Sequence, residues 1–239
     1  MAEDKTFTFT ETLKKALLIR IQKTQDIFWN QYLSWYYVQM KEYGKAFVQE
    51  KAIYKRNPES FNTIVGLGEM AMDEKNTETA VEILNFVLQN TKDLDLQIQA
   101  NTYLMEAKIA SAQPKDYLTI NQELDNLIKQ FGPTPYSLSL LKLKAHFAAF
   151  KLNDAEQAKQ ILKNALEMPL NSVQTAEIKM ELADVFLYEA KFNQALLYYS
   201  QIQEDGNNST IAQEASLKIA KTSYFKTDLA VWRSRLLAA

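Results

Sequence analysis

The residue types that do chemistry are scarce in this chain. It has one histidine, His146, and no cysteine. A nucleophile–base pair needs a second proton-handling group, and a zinc site needs three or four N, S or O ligands. Neither can be built around His146, which therefore reads as a surface or groove residue. The lack of cysteine excludes disulfides and thiolate chemistry and says little about compartment. Gly66 and Gly68 stand in VGLGEMA. No strand precedes them, as a dinucleotide loop requires, so their expected role is close helix packing. Glu177, Glu181 and Asp184 fall at i, i+4 and i+7 on one helical face. Three carboxylates so placed suit a cation or a basic peptide, and the plainer reading is a solvated face. Asn207-Asn208-Ser209-Thr210 contains two glycosylation-type sequons, read here as turn chemistry. No catalytic residue, metal site or cofactor is expected, and the chain is not expected to be an enzyme.

The remaining concentration is aromatic. Phe28, Trp29, Tyr32, Trp35, Tyr36, Tyr37 and Tyr43 lie close together and cover more than one face of a helix. Trp29, Leu33 and Tyr37 form its packing stripe. Phe28, Tyr32 and Trp35 point elsewhere, either against a first helix over 12–23 or into a binding groove rich in hot-spot residue types.

The elements that hold these residues are helices. Ser34, Gly68, Ala107, Ala145, Ala183 and Ala220 recur at intervals of 34, 39, 38, 38 and 37 residues, each inside an apolar-periodic stretch. A second series, Ala46, Ala80, Ala158 and Ala195, follows its partners by 12 or 13 residues. Paired small residues half a repeat apart let two helices cross closely, and a helical period of this size marks a stacked array. The spacing predicts a lone helix capped by Thr12 after an extended lead-in at 6–10. Six hairpins follow: 25–42 with 45–56, 59–73 with 77–89, 95–112 with 115–130, 136–150 with 154–167, 172–190 with 193–204, and 210–225 with a short helix from Leu229. Asp154 and Ser172 are the expected N-caps of their helices. This gives a lead-in and lone helix over 1–24, an array over 25–225, and a short atypical terminal helix over 226–239.

Composition agrees. Five glycines and five prolines are roughly 4% of the chain, against about 12% in average usage. The net charge of −2 is spread without a basic block, so nucleic acid is not an expected partner. No run approaches the length of a membrane span, which argues against insertion. The first residues carry no apolar signal core. The chain as given is thus expected in the cytoplasm by default, or in the periplasm as a fragment of an exported parent.

The fifth hairpin, with Leu182-Ala183, Phe186, Ala195 and Tyr199, resembles the tetratricopeptide repeat. Leu33-Ser34, Tyr37, Ala46 and Pro58 repeat that pattern in the first hairpin. Leu67-Gly68, Ala80 and Leu84 repeat it in the second, and Ala145, Ala158, Leu162 and Ala165 in the fourth. Glu50 takes an aromatic site, Ala71, Ala110 and Ala148 replace helix-A aromatics, and Thr119 or Ile120 replaces an alanine. The repeats are therefore degenerate. Segments such as EASLKIAKTSYFKTD resemble repeat proteins of the Bacteroidetes group, which implies a longer parent, often of the cell envelope.

The resemblance implies an all-α right-handed superhelix of about six hairpins whose first helices line a concave groove. The residue after each small helix-A residue should face inward: Trp35, Glu69, Lys108, His146, Asp184 and Lys221. With Phe28 and Tyr32 these form the candidate groove for a protein or peptide partner. The line does not resemble the two-lysine, two-asparagine carboxylate clamp of chaperone-binding members, which disfavours an acidic C-terminal partner. The expected function is a non-catalytic interaction scaffold. The alternative is a structural segment of a larger, envelope-associated assembly protein. The apolar end, Leu236-Leu237-Ala238-Ala239, and the unpaired first helix suggest an incomplete array or foreign terminal sequence.

Overall fold

The computed structural model describes residues 8–24, 26–205 and 209–237. Among them every regular element is helical. The α-helices are α1 (Thr8–Lys23), α2 (Ile27–Gln39), α3 (Tyr43–Tyr54), α4 (Phe61–Asp73), α5 (Thr77–Asn90) and α6 (Leu94–Ser111). They continue with α7 (Tyr117–Phe131), α8 (Leu138–Phe150), α9 (Ala155–Leu166), α10 (Ser172–Tyr188), α11 (Phe192–Asp205) and α12 (Thr210–Leu237). Short 3-10 turns, each opened by a proline, precede α4, α7 and α8. Proline fits there because the first helical N–H groups have no partner to lose. No helix among the described residues is long and apolar enough to cross a membrane.

The chain divides into two compact units, Met1–Ala107 and Lys108–Ala239. In the first, α1 packs on α2, α2 on α3, α3 on α4 and α4 on α5. Its core is rich in rings: Tyr36, Tyr37, Tyr43, Phe47 and Phe61 are buried among Leu33, Ile64, Leu67, Ile83 and Leu84. In the second, α8 pairs with α9, α10 with α11, and α11 with α12. Its core is alanine-rich, with Leu162, Ile178, Leu182, Val185 and Tyr199 filling the space between the crossings.

Small residues sit where helices approach. Ser34, Gly68, Ala107, Ala145 and Ala183 are buried on the first helices, and Ala46, Ala80, Ala158 and Ala195 on the second. A Cβ at Gly68 would stand 3.1 Å from Leu84 Cδ2 and 3.3 Å from Ile83 Cγ2, so this crossing leaves little room for even one carbon. Ala220 differs. It is exposed on α12, where Ala212, Ala215 and Thr222 take the buried positions.

The turn inside a hairpin is repeated chemically. Lys41, Lys75 and Ala190 have φ of 58°, 60° and 57°. Each donates its N–H to the carbonyl three residues back, and the next residue donates to the carbonyl five back. These are the bonds Lys41–Val38 and Glu42–Tyr37, Lys75–Met72 and Asn76–Ala71, and Ala190–Leu187 and Lys191–Phe186. The paired bonds are a Schellman ending, normally built on glycine. Here non-glycine residues take the left-handed position, which explains how the hairpins turn with so few glycines.

Three boundaries depart from the sequence expectations. Residues 8–10 are helical rather than extended, because α1 starts at Thr8 with Glu11 favourably placed in its first turn, so Thr12 lies inside the helix. The N-cap of α10 is Asn171, not Ser172. Its side chain accepts from Gln174 N at 2.9 Å while Gln174 Oε1 accepts from Asn171 N at 3.1 Å. Asp154 does cap α9, accepting from Gln157 N at 2.9 Å. Finally, α12 runs unbroken through 226–228, so no separate helix begins at Leu229. That stretch holds neither glycine nor proline to stop it. Without a turn there, Ala220 has no second helix of its own hairpin to cross. The lead-in at 1–7, the sequons at Asn207 and Asn208 and the terminal Ala238-Ala239 lie outside the described residues.

Candidate protein-binding face

In the first unit, α2 divides its rings sharply. Leu33, Tyr36 and Tyr37 are buried, and Trp29 packs toward α1 with the Arg20 guanidinium 5.6 Å from its ring centre. Asn30 and Ser34 turn toward α3. Asn30 donates to Gln49 Oε1 at 2.9 Å and accepts from Arg56 at 3.2 Å. The Ser34 hydroxyl donates to Glu50 Oε1 at 2.5 Å. Glu50 is buried, and burial pushes its carboxyl above the usual range, only partly offset by the Ser34 bond. The aromatic site of the repeat is thus filled by a hydrogen-bonded polar pair.

Phe28, Tyr32 and Trp35 take the opposite side and are 44%, 48% and 47% exposed. Three such rings on successive turns make a contiguous apolar patch, the kind of surface that marks an interaction site. The Phe28 and Tyr32 ring centres are 4.6 Å apart. On α4, Glu69 accepts from Gln99 and from the Tyr103 hydroxyl, both on α6. Burial, reinforced by Glu69, pushes Tyr103 up to about 12.

In the second unit the corresponding side chains pair with one another. Lys108 donates to Glu123 at 2.6 Å. Between α8 and α10, Lys142 donates to Glu177 at 2.8 Å, and His146 Nδ1 lies 2.8 Å from Glu181. The His146 ring also rests on Phe150, centres 4.5 Å apart. Asp184 accepts from the buried Tyr199 hydroxyl and from Lys218 at 2.5 Å, linking α10, α11 and α12. Burial and the Asp184 carboxylate both push the Tyr199 hydroxyl well above its ordinary range. Behind this face the buried Lys159 joins Glu156 at 2.6 Å and Glu189 at 2.7 Å. Burial alone would lower its pKa, but the carboxylates outweigh that and raise it. Lys221 is exposed.

The candidate residues therefore fall into two sets. Phe28, Tyr32 and Trp35 form one exposed apolar stripe, with Glu69 on a neighbouring first helix. Lys108, His146 and Asp184 are occupied within the chain, and the Glu177–Glu181–Asp184 face is a row of cross-helix ion pairs rather than an open carboxylate cluster. Among the described residues no group of side chains is arranged to hold a metal ion. Sequence reasoning did not single out Lys142 and Lys218 as partners. Their signal is opposite charge at separations of 34 and 35 residues, one repeat apart.

Comparison with solved structures places this arrangement. A thermophilic TPR protein from Thermus thermophilus matches with TM-score 0.59 at 17% identity, covering 83% of this chain and all of its own. The fold is that of tetratricopeptide-repeat proteins. A tetratricopeptide-repeat protein from Parabacteroides merdae matches with TM-score 0.54 at 15% identity, covering 90% of this chain and 78% of its own. The APC/C hetero-tetramer Cut9–Hcn1 matches with TM-score 0.53 at 15% identity, covering 93% of this chain and 40% of that one. No family model matches the sequence. No curated protein matches it either. Identities this low, with an intact fold, are those of degenerate repeats.

Proposed function

We propose that the chain is a non-catalytic protein-interaction scaffold, and that its binding face is the exposed side of α2 with the adjoining first helices of the first unit. The observation that carries this reading is the Phe28–Tyr32–Trp35 stripe, half-exposed on a helix whose other faces are packed. Interface energy concentrates in Trp and Tyr side chains that become desolvated on binding, and exposed rings supply that gain. The second unit offers less, because a ligand there would have to displace ion pairs already made. The similarity to repeat proteins, one of them solved as a hetero-tetramer, supports a protein partner. This face lies near the start of the proposed 25–225 array.

The test is capture with the full chain and with a variant carrying Phe28→Ser, Tyr32→Ser and Trp35→Ser. A partner held by the first and lost by the second, at unchanged helicity, supports the reading. Equal retention by both excludes this face.

A further inference from the structure

The charge distribution of the first unit says what such a partner must carry. Its first helices are α2, α4 and α6 up to Ala107. α2 has no charged residue in 13 positions. α4 has Glu69 and Asp73, and α6 as far as Ala107 has Asp95 and Glu106. None of the three contributes a lysine, arginine or histidine. The cations of this unit lie elsewhere, on α1, on α3 and in the turns. Lys41 is held by Glu74 at 2.6 Å, Lys45 by Glu42 at 2.8 Å, Lys51 by Glu82 at 3.6 Å, and Arg20 lies over Trp29.

The repeat register gives the acids the positions that Trp35 and Gln39 hold one repeat earlier. Lys41 and Lys75 hold the same left-handed turn position 34 residues apart, as Ser34 and Gly68 hold the same crossing. One repeat on from Phe28, Tyr32, Trp35 and Gln39 stand Asn62, Gly66, Glu69 and Asp73. A Cβ at Gly66 would meet nothing within 4 Å, so the helix is bare where the preceding repeat carries Tyr32. Glu69 is bonded to Gln99 and Tyr103, neither of them a cation, so its charge is not neutralised by them. Asp73 is exposed and has no ion-pair partner among the described residues.

We infer that the ligand of this face is a cationic peptide segment, with Lys or Arg spaced among apolar residues. This rests on the binding reading above and sharpens it. The apolar residues would lie on the Phe28, Tyr32 and Trp35 rings, whose faces attract cations as well as hydrocarbon. The Lys or Arg groups would meet Glu69 and Asp73. An acidic segment meets like charge on these helices, where the one cation, Lys108 in the last turn of α6, is already held by Glu123 at 2.6 Å. A neutral one strips water from the two carboxylates without replacing it.

The test uses short labelled peptides on one Leu/Ala/Ser frame, with Lys and Arg, with Ser, or with Glu at the same positions, titrated by anisotropy against the full chain. The basic peptide should bind at least about tenfold tighter than the other two, and the margin should shrink between about 0.05 and 0.3 M salt. Asp73→Lys, at an exposed site, should erase the preference, while Trp35→Ala should weaken all binding. Equal binding of the neutral peptide overturns the charge assignment and leaves the binding face standing. Tightest binding of the acidic peptide overturns it outright. If no peptide binds, and Trp35→Ala leaves capture of a protein partner unchanged, both readings fall.

Discussion

The first helices of the two units carry opposite solutions to the same problem. In the second unit the exposed side of α8, α10 and α12 is stitched by Lys142–Glu177, His146–Glu181 and Asp184–Lys218. In the first, the exposed side of α2 carries three open rings, and its polar contacts, Ser34–Glu50 and Asn30–Gln49, point inward to α3. Cross-helix pairs hold neighbouring repeats together while using up the groups a ligand would need. The same architecture thus ties one set of first helices together with ion pairs and leaves rings open on another. Exposed ion pairs contribute little singly, so the second unit's row matters through the half-buried Asp184–Tyr199–Lys218 network.

The comparison can be broken first at what the units share. Ala80→Leu in the first and Ala195→Leu in the second should each destabilise by about 2–3 kcal/mol, because both sites are fully buried at crossings. A thermal melt unmoved by either change would remove the crossing from that unit. Next comes the network present only in the second unit. Asp184→Asn leaves Tyr199 bonded but Lys218 with only the longer Glu214 pair at 3.7 Å, and should cost about 1 kcal/mol. Glu69→Gln, whose partners are neutral, should cost less than about 0.5 kcal/mol. Denaturant titrations giving equal losses would erase the contrast.

A smaller effect has the opposite sign. Glu50 has a raised folded-state pKa, so its protonated form is favoured by folding. Its contribution is complete below the unfolded carboxyl pKa and is lost as pH rises through the raised folded value. Glu50→Gln should therefore stabilise at neutral pH and flatten the decline between acid and neutral pH. Melts whose pH dependence is unchanged by the substitution would contradict this. Smallest of all, Ala190→Gly should gain about 0.5 kcal/mol by relieving the left-handed backbone, net of glycine's entropy. A lower melting temperature would show that the turn is not strained.

Much of the fold was legible because small residues at helix crossings leave a mark at fixed spacing. That Phe28, Tyr32 and Trp35 stand off the packing stripe of Leu33 and Tyr37 was legible for the same reason, but not that they stay exposed rather than pack on the first helix. Other features have no such mark. Lys41, Lys75 and Ala190 occupy positions where glycine is the usual signal, so the turns could be placed but not their geometry. Glu50 read as a missing aromatic, because a buried carboxyl is intelligible only once Ser34 is seen opposite it. His146 and Asp184 could be assigned to their helices, but their partners Glu181 and Lys218 belong to the next repeat. Pairing across repeats depends on a register that degenerate intervals of 37–39 residues obscure.

The central claim is that recognition belongs to the α2 face and cohesion to the row of ion pairs. The direct measurement is the dissociation constant of a captured protein partner for Trp35→Ala and for His146→Ala, each with unchanged helicity. Trp35→Ala should weaken binding by about 2 kcal/mol, roughly thirtyfold, while His146→Ala should change it by less than about 0.5 kcal/mol. The reverse pattern, with His146→Ala abolishing binding and Trp35→Ala leaving it intact, would contradict the account.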